Sequence, residues 1–414
     1  MIKQNLPLLR SKMTYKVKMA NKTFNKILKK TLSVYLNKRY RIEFDDKDIR
    51  GVEPPFVIVG NHTNNWDAFI LSYKIKDPVH YVASIEQFRG RFMRFVMGLV
   101  GSIPKTKSMS DAAAVKGMFK VRNNGGIVGI YPEGKRSWDG KTEEILYPTA
   151  KMLKSMNVPV ISVLTHGAYL THPRWAHKAR RGKIHLKYSV LFTAEDIKTL
   201  STDEIYERMC RTIQTNEYEW QEREMIPFIG PGPAEDLELA LFICPKCKGV
   251  GKLFSKGDTF TCTACGEKVR YNKYGYFEKD GSEKPIFKSV QDWNQWQMEQ
   301  LEETIRIRMT NPELPIFEDT DATLYTGDPY VSLKKDRKGS ILLYVDRIEF
   351  KDQNGNKECY DISGMNGVST HLKDRFDFYH EGKLHRFSFI DHHTSANKWS
   401  EAYDRIKKIT RAEK

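Results

Sequence analysis

Short apolar runs alternate with amphipathic stretches along the first half of the chain. The runs interpreted as buried strands lie at 40–45, 56–60, 79–83, 127–131, 158–164 and 184–192. Between them, apolar residues recur at helical spacing over 66–76, 86–100, 110–123 and 147–156. Strands that alternate with helices are typical of parallel pairing, because a helix carries the chain back to the same end of the sheet. The pattern predicts an α/β domain with a mixed, largely parallel sheet flanked by helices.

The pattern changes after residue 197. Residues 200–240 are charged and proline-bearing, which is typical of a linker. A cysteine cluster follows, then an aromatic-rich helical stretch at 288–309 and a Pro/Asp-rich break at 311–322. Short strand-like runs then lie at 330–333, 341–345, 347–350, 375–379 and 385–389. A predicted helix at 395–410 follows them, so the end of the chain resembles a β-barrel-like domain of the pleckstrin-homology type with one capping helix.

These changes divide the chain into six predicted regions. They are a basic amphipathic helix (1–39), a catalytic α/β domain (40–215), a linker (216–240), a zinc ribbon (241–275), a helical connector (276–320) and a β-rich domain (321–414). In the first region apolar residues fall near one helical face and lysines crowd the rest. Such a helix either lies in a lipid headgroup layer or packs on the next domain, and both alternatives stay open.

Two motifs follow strand-like runs in the predicted α/β domain. Asn61–Asp67 reads Asn-His-Thr-Asn-Asn-Trp-Asp, and Tyr131–Ser137 reads Tyr-Pro-Glu-Gly-Lys-Arg-Ser. Open α/β sheets hold their chemistry at the strand ends, so both motifs are expected at one edge of the sheet. A histidine, a nearby aspartate and a basic loop together indicate proton abstraction beside an anionic group. His62 is the candidate base, and Asp67 is the acid that would orient it.

The two motifs resemble those of the glycerolipid acyltransferase family, typified by lysophosphatidic acid acyltransferases. Two weaker blocks of that family lie in the expected order, at Gly101–Lys107 and Val158–Ile161. The resemblance covers roughly residues 41–197, about the size of one domain. Two departures are visible: Thr106-Lys107 replaces the usual Asp-Arg, and Lys135 replaces the threonine of the Pro-Glu-Gly loop. Both changes keep or add positive charge, so anion binding is expected to survive while the acceptor stays open.

The resemblance implies transfer of a fatty acyl group from a thioester to the hydroxyl of a lysophospholipid, with 1-acylglycerol-3-phosphate as the first choice of acceptor. Acyl-CoA and acyl-carrier-protein both stay open as donors. His62 would act as general base and Asp67 would fix its tautomer. The predicted substrate-binding residues are Arg136, Lys107, Lys105, Lys135, Glu133 and Gly134. Arg136 is the first choice for phosphate, and Glu133 would position the acceptor or stabilise the loop.

Four cysteines form two Cys-x-x-Cys pairs separated by fourteen residues, Cys244 with Cys247 and Cys262 with Cys265. Each pair can place two thiolates on one metal, and a hairpin between the pairs closes a four-sulfur site. The spacing predicts a zinc ribbon with a structural Zn²⁺, because four thiolates leave no open coordination position. Disulfides are disfavoured without a secretory signal, and redox chemistry would need one pair alone.

The 414 residues carry a formal net charge of +16, and residues 1–50 alone hold 14 basic against four acidic residues. This excess indicates an anionic partner: a membrane surface, acyl carrier protein, a phosphorylated substrate or nucleic acid. No stretch approaches the roughly 20 apolar residues of a membrane span, and no secretory signal is visible at residues 1–10. The sequence therefore predicts a cytoplasmic protein that meets an anionic membrane surface peripherally.

Three other functions compete with this interpretation. An acyltransferase of the same family acting on an amine or another polar lipid keeps the chemistry and changes the acceptor. A nucleic-acid-binding protein would explain the charge and the cysteines but leaves both acyltransferase motifs unexplained. An inactive lipid-binding scaffold is disfavoured because His62, Asp67 and Glu133 are all present.

Overall fold

The computed structural model describes residues 15–106, 111–328, 332–389 and 391–412. Its first sheet contains seven strands: β1 (Arg41–Asp45), β2 (Val57–Gly60), β3 (Val79–Ser84), β4 (Ile103–Lys105), β5 (Ile127–Ile130), β6 (Val160–His166) and β7 (Lys183–Phe192). Their spatial order is β1-β7-β6-β2-β5-β3-β4. Neighbouring strands pair in parallel except β6 and β7, which are antiparallel. The predicted fold class, a mixed and largely parallel sheet, is confirmed.

Helices cover both faces of this sheet. In the described part of the chain they are α1 (Lys22–Arg39), α2 (Asp67–Leu71), α3 (Arg91–Leu99), α4 (Ala112–Asn123), α5 (Tyr147–Met156), α6 (Ala168–Thr171), α7 (Ala194–Thr199), α8 (Thr202–Ile213) and α9 (Glu217–Glu224). Along β2, Val57 and Val59 join a core cluster with α4, α5 and α8, whereas Ile58 joins a second cluster with α1 and α2. This alternation shows that β2 is buried on both faces, as a central parallel strand must be.

Helix α1 lies on the surface of the sheet domain rather than in its core. Asn21 caps its N-terminus by accepting a hydrogen bond from the Phe24 amide at 2.8 Å. The Asn25 side chain ties the first turn to the Leu99 carbonyl at 3.0 Å, and Leu36 is the helix residue that becomes buried. Residues 1–14 of the predicted basic region lie outside the described residues. Among the described residues, no helix combines the length and apolar content needed to cross a membrane.

The segment expected as a linker is folded. Residues 217–224 form α9, and Ala234, Leu237 and Leu239 are buried in a cluster that also holds Trp138 and Phe260. The cysteine-rich unit follows as an antiparallel sheet of β8 (Leu253–Lys256), β9 (Thr259–Cys262), β10 (Lys268–Tyr271) and β11 (Phe277–Glu278). This unit therefore shares one hydrophobic core with the α/β domain, because a four-stranded ribbon is too small to bury its own apolar face.

Helix α10 (Val290–Met309) leads into the third sheet. The strands of that sheet are β12 (Phe317–Asp328), β13 (Ser332–Leu343), β14 (Arg347–Asp352), β15 (Lys357–Asp361), β16 (Asn366–His371), β17 (Arg375–His380) and β18 (Lys383–Phe389). They are all antiparallel in the order β15-β14-β13-β12-β18-β17-β16, and α11 (Asn397–Ala412) packs on them through Trp399, Tyr403 and Ile406. The predicted antiparallel strands capped by one helix are confirmed. Tyr330 and Val331, predicted to begin one strand, lie outside the described residues.

The third sheet contacts the α/β domain beside the end of β3. Glu86, just after that strand, accepts a hydrogen bond from Arg386 at 2.7 Å and pairs with His371 at 2.8 Å. Arg386 also makes a two-pronged ion pair with Asp377. Because the two sequence motifs follow parallel strands of the same sheet, this contact brings the third sheet to the edge at which both motifs lie.

Candidate active site

Asn61 fixes the point where β2 ends. Its side-chain oxygen accepts the Thr165 amide at 2.8 Å and its amide nitrogen donates to the Thr165 carbonyl at 2.9 Å, so it extends the pairing of β2 with β6. Gly60 before it has no room for a side chain, since an added Cβ would lie 2.6 Å from the Val163 carbonyl oxygen. The chain therefore leaves the sheet at one defined place, and His62 is the next residue.

His62 and Asp67 form a hydrogen-bonded pair across the turn between β2 and α2. The His62 Nδ1 lies 2.7 Å from Asp67 Oδ2. The Asp67 side chain is 1% exposed and the His62 side chain 24% exposed. Because Nδ1 faces the buried carboxylate, the Nε2 of the ring is the nitrogen left for a substrate. The sequence predicted this pair, and the structure places the two side chains in contact.

Asp67 is held by the turn that it closes. The same Oδ2 atom accepts the backbone amides of Thr63 at 2.7 Å and Asn64 at 2.8 Å. The side chain of Asn64 in turn donates to the Ala168 carbonyl at 2.8 Å. These donors stabilise the charged carboxylate, which then orients the imidazole and stabilises its protonated form. The two amides are engaged here, so they are not available to a reaction intermediate.

Glu133 connects the second motif to the backbone of the first by a hydrogen bond. Its Oε1 accepts the His62 backbone amide at 2.6 Å and its Oε2 accepts the Glu143 amide at 2.7 Å, while the residue is only 3% exposed. Burial raises the pKa of this carboxyl well above its usual 4.5, and the two amides oppose that rise. Glu133 therefore stabilises the loop, one of its two predicted roles, and does not face a substrate.

The ring of Tyr131 packs against one face of the His62 imidazole. Its ring stacks on the imidazole with centroids 4.0 Å apart, and Tyr81 of β3 stacks behind it at 5.7 Å. This contact limits rotation of the His62 ring about the axis that the Asp67 hydrogen bond already defines. The sequence reading included Tyr131 in its motif without assigning it a role. Its position directly after β5 was the available signal, since β5 neighbours β2 in the sheet.

Arg136 supplies positive charge beside the histidine. Its Nη1 donates to the side-chain oxygen of Asn65, in the first motif. Among the described residues, no carboxylate lies within ion-pair distance of its guanidinium. A half-buried guanidinium without a counter-ion is suited to bind an anion, because it keeps its donors and its charge available.

Of the other predicted cations, one is ion-paired, one lies on another strand and one lies outside the described residues. Lys135 pairs with Glu143 at 3.2 Å and with Glu401 of α11 at 3.4 Å, so it joins the loop to the third sheet's helix. Lys105 ends β4, at the far edge of the sheet. Lys107 lies outside the described residues. Gly134 adopts a left-handed φ of 71°, which lets the loop turn between Glu133 and Arg136.

Burial lowers the pKa of His62 below its usual 6.5, and the hydrogen bond to Asp67 opposes that shift. The positive charges of Arg136 and Arg174 lower it further. The ring is therefore neutral near pH 7, as a general base must be. Arg174 was not predicted as a site residue. It follows the last family block at a distance, and nothing in its local sequence distinguishes it from the other arginines.

The four motif cysteines converge on one point. Cys244 and Cys265 have their sulfurs 3.7 Å apart, as do Cys247 and Cys262, and all four sulfurs lie within 4.8 Å of one another. Bonds of about 2.3 Å from zinc to sulfur place tetrahedral sulfurs roughly 3.8 Å apart. The observed separations fit that geometry. The cluster can hold one metal ion with four thiolates.

Comparison with known proteins agrees with this geometry. Residues 41–166 match the family model described as Acyltransferase. A curated 1-acyl-sn-glycerol-3-phosphate acyltransferase from Borreliella burgdorferi is 29% identical over 109 residues, which is 26% of this chain and 44% of that protein. This chain thus spans less than half the length of that relative. The resemblance predicted from the motifs is confirmed: residues 41–166 are similar to acyltransferases, and the curated relative is one that acts on a glycerolipid.

Two solved structures align with parts of the chain. The crystal structure of the 1-acyl-sn-glycerophosphate acyltransferase PlsC from Thermotoga maritima covers 49% of this chain and 79% of its own, with 18% identity and a TM-score of 0.41. The structure described as "The 8S snRNP Assembly Intermediate" covers 22% of this chain and 81% of its own, with 13% identity and a TM-score of 0.19.

Proposed function

We propose that this protein transfers a fatty acyl group from an acyl thioester to the free hydroxyl of a lysophospholipid, with 1-acylglycerol-3-phosphate as acceptor and phosphatidic acid as product. The observation that carries this proposal is the His62–Asp67 pair, 2.7 Å apart, beside the unpaired guanidinium of Arg136. A base next to a cation suits a substrate that holds a hydroxyl close to a phosphate. The family match of residues 41–166 supports the reaction class.

In the first step, Nε2 of His62 takes the proton of the acceptor hydroxyl as its oxygen attacks the thioester carbonyl carbon. The imidazole becomes an imidazolium, and Asp67 stabilises it through the Nδ1–H hydrogen bond. The attack gives a tetrahedral intermediate whose former carbonyl oxygen is negative. No protein nucleophile takes part, so the acyl group passes directly from sulfur to the acceptor oxygen.

In the second step, the intermediate collapses, the carbon–sulfur bond breaks and the sulfur leaves as a thiol with the proton that His62 returns. The oxyanion needs hydrogen bonds while it exists. The amides of His62, Thr63 and Asn64 already donate to Glu133 and Asp67, so those bonds come from outside this turn. The thioester is acyl-CoA or acyl-carrier-protein, and the reacting atoms are the same in both.

A structural zinc ion is proposed for the four-cysteine cluster. The sulfur separations support a closed tetrahedral site without a coordination position for substrate. Cys244 and Cys262 are buried in the core that the ribbon shares with Trp138 and Trp293. The ion would therefore stabilise the ribbon and the core around it, and it takes no part in acyl transfer.

An anionic membrane surface is proposed as the place where the lipid substrates are met. Helix α1 exposes Ile27 and Val34 among its lysines, and α3 exposes Phe92 and Phe95. The ring of Tyr35 in α1 packs at a tilt on Trp66 of the first motif, with centroids 5.6 Å apart, so α1 lies beside the turn that holds His62. Apolar side chains ringed by cations suit the headgroup layer, where each cation contributes about 1 kcal/mol.

The test of the reaction is release of free thiol from acyl-CoA in the presence of a lysolipid panel, for the wild type and His62→Ala. We expect release that requires lysophosphatidic acid and falls by a factor of about 10²–10⁴ in the variant. Wild-type turnover by His62→Ala would refute the assignment of the base. An acyl-carrier-protein donor is the second arm, and release with an amine or another polar lipid alone would replace the acceptor proposed here.

The membrane surface has its own test, which is sedimentation with vesicles of neutral lipid with and without anionic lipid. The variant Lys26→Glu/Lys30→Glu is expected to lose binding to anionic vesicles, most strongly at low salt because salt screens the attraction. Lys408→Glu, on α11, is the matched control and is expected to bind as the wild type does. Equal binding of all three proteins would leave α1 with a packing role alone.

A further inference from the structure

The third sheet holds an arginine of the α/β domain by its backbone. The Nη2 of Arg174 donates to the carbonyls of Thr370 at 2.8 Å and Leu372 at 3.1 Å, and its Nε donates to Leu372 at 3.2 Å. Thr370 belongs to β16, and Leu372 begins the turn to β17. Three contacts to two carbonyls fix the plane of the guanidinium, since its donors lie in a rigid fork.

The Nη1 side of the same guanidinium contacts the loop that holds Arg136 and Trp138. Its Nη1 donates to the Arg136 carbonyl at 3.3 Å, and its carbon lies 4.4 Å from the ring centre of Trp138 in that loop. A guanidinium carries five N–H donors, and these contacts use four of them. One N–H of Nη1 therefore remains for a ligand.

The carboxylates that partly offset the charge of Arg174, Glu143 and Glu401, lie beyond ion-pair distance. Among the described residues, no carboxylate lies within ion-pair distance of Arg174 or Arg136, whereas Lys373 nearby is paired with Asp236. Burial and then the charge of Arg136 lower the pKa of Arg174 to about 9. Burial, followed by the charges of Arg136 and Lys373, likewise lowers the pKa of His172 to about 4. Uncompensated, partly buried cations are costly unless an anion joins them.

We propose that Arg174, held in place by the third sheet, is the second guanidinium of the phosphate site, so that two parts of the chain build one acceptor site. The inference rests on the proposed function and names the ligand class more narrowly. A phosphate monoester carries nearly two negative charges near neutral pH and satisfies two guanidiniums. A zwitterionic or uncharged headgroup would leave one of them without a counter-ion. The C-terminal sheet thus selects the acceptor, although Thr370 and Leu372 follow the second motif by about 230 residues.

The first experiment measures ligand binding without turnover. Thermal unfolding of the full chain is followed with inorganic phosphate and with sodium chloride at equal ionic strength. Phosphate is expected to raise the wild-type Tm by about 1–3 °C at ten times its Kd, and not to raise that of Arg174→Met. Lys373→Met is the matched control: it removes one cation at the same junction, but a paired one, and keeps the phosphate response. A full phosphate response in Arg174→Met overturns the proposal.

The second experiment compares acceptors in the acylation assay. Arg174→Met is expected to raise KM for short-chain lysophosphatidic acid by about ten-fold or more, with a smaller change in kcat. Its KM for an acceptor with a zwitterionic headgroup should stay within about two-fold of the wild type. Arg174→Lys keeps the charge but loses the fork, so it should recover part of the phosphate response and of the KM. An equal loss for both acceptors would assign Arg174 a structural role and overturn the selectivity.

The two experiments separate this inference from the function on which it rests. A wild type that acylates no lysolipid, yet binds phosphate through Arg174, overturns the proposed reaction and leaves the site. A wild type that acylates lysophosphatidic acid with a KM unchanged in Arg174→Met overturns the site and leaves the reaction. If Arg174→Met does not fold, Arg174→Lys carries both comparisons, and a wild-type phosphate response and KM in that variant overturn the need for the fork.

Discussion

The catalytic turn and the four-cysteine cluster are both polar centres, yet they use their polar groups in opposite ways. At the cluster, four sulfurs face one point within 4.8 Å and leave no ligand position open. At the turn, Asp67 and Glu133 take five backbone and side-chain donors between them, and this leaves one imidazole nitrogen and one guanidinium available to a ligand. The cluster has the geometry of a closed site that stabilises the fold. The hydrogen bonds of the turn fix its conformation and leave one face accessible to a substrate.

The two centres also differ in how far along the chain their parts lie. The cysteines span 22 residues, and a short hairpin brings them together. The catalytic edge joins residues 61–67 to 131–137 through neighbouring strands, and Arg174 joins these to residues 370–372. Substitutions in the cluster should therefore destabilise the fold, whereas substitutions in the turn should lower turnover and leave the fold intact.

Cys247→Ser tests the first half of this comparison and should have the largest effect. Loss of one thiolate from a structural site removes most of the metal-binding free energy, which is on the order of 10 kcal/mol in small zinc units. We expect zinc content by mass spectrometry to fall from one ion per chain to nearly none, with insoluble or unfolded protein. Cys359→Ser, an exposed cysteine of β15, is the control and should keep both zinc and solubility. Unchanged zinc in Cys247→Ser would refute the site.

Asp67→Asn tests the second half. Nδ1 of His62 and the amides of Thr63 and Asn64 all meet the same Oδ2 atom, so an asparagine oxygen there keeps the three hydrogen bonds but lacks the negative charge that stabilises the imidazolium. We expect kcat to fall by a factor of about 10²–10⁴ while the melting temperature changes little. Asp196→Asn is the control, because Asp196 also accepts a backbone amide at a helix start, that of Thr193, but belongs to α7. Full activity in Asp67→Asn would show that His62 does not need the carboxylate of Asp67 for turnover.

Glu133→Gln asks whether the turn can be weakened without removing any reacting group. The glutamine has one oxygen for two amides, His62 and Glu143, so one buried donor is left without a partner. The free energy of unfolding should fall by about 1–3 kcal/mol, measured by urea denaturation. Turnover should also fall, because Glu133 positions the His62 backbone. A variant as stable as the wild type would show that the two amides find other acceptors.

The pH dependence of kcat/KM is expected to show the smallest effect, and it reports the protonation of His62 directly. The pKa of His62 lies below 6.5 because of burial, and the base must be neutral. The rate should therefore be level near pH 7 and fall about ten-fold per pH unit below the pKa of His62. Arg136→Met removes a positive charge that lowers this pKa, so the acidic limb should move to higher pH. An unmoved limb would show that the charge of Arg136 does not reach the imidazole.

Much of the fold followed from local pattern. The strand-like runs predicted β1–β3 and β5–β7; of these, β2 and β5 are buried at every position, as apolar strands covered on both faces are. The predictions missed β15 and β16, β4, which has three residues, and β12, whose residues 319–321 are all polar or charged. In β12 the two neighbouring strands, β13 and β18, supply the hydrogen bonds that hold an otherwise unfavourable sequence in the sheet.

The sequence by itself determined the chemistry of the two centres: the histidine and aspartate five residues apart, the loop with Glu133 and Arg136, and the two Cys-x-x-Cys pairs. Spacing this short fixes geometry through one turn or one hairpin. The tertiary structure alone decided that Glu133 braces the His62 backbone, that Lys135 pairs with Glu401, and that Arg174 lies beside Arg136. These contacts join residues 38 to 266 positions apart, and their partners are chosen by strand order and by packing of the third sheet, which no local motif encodes.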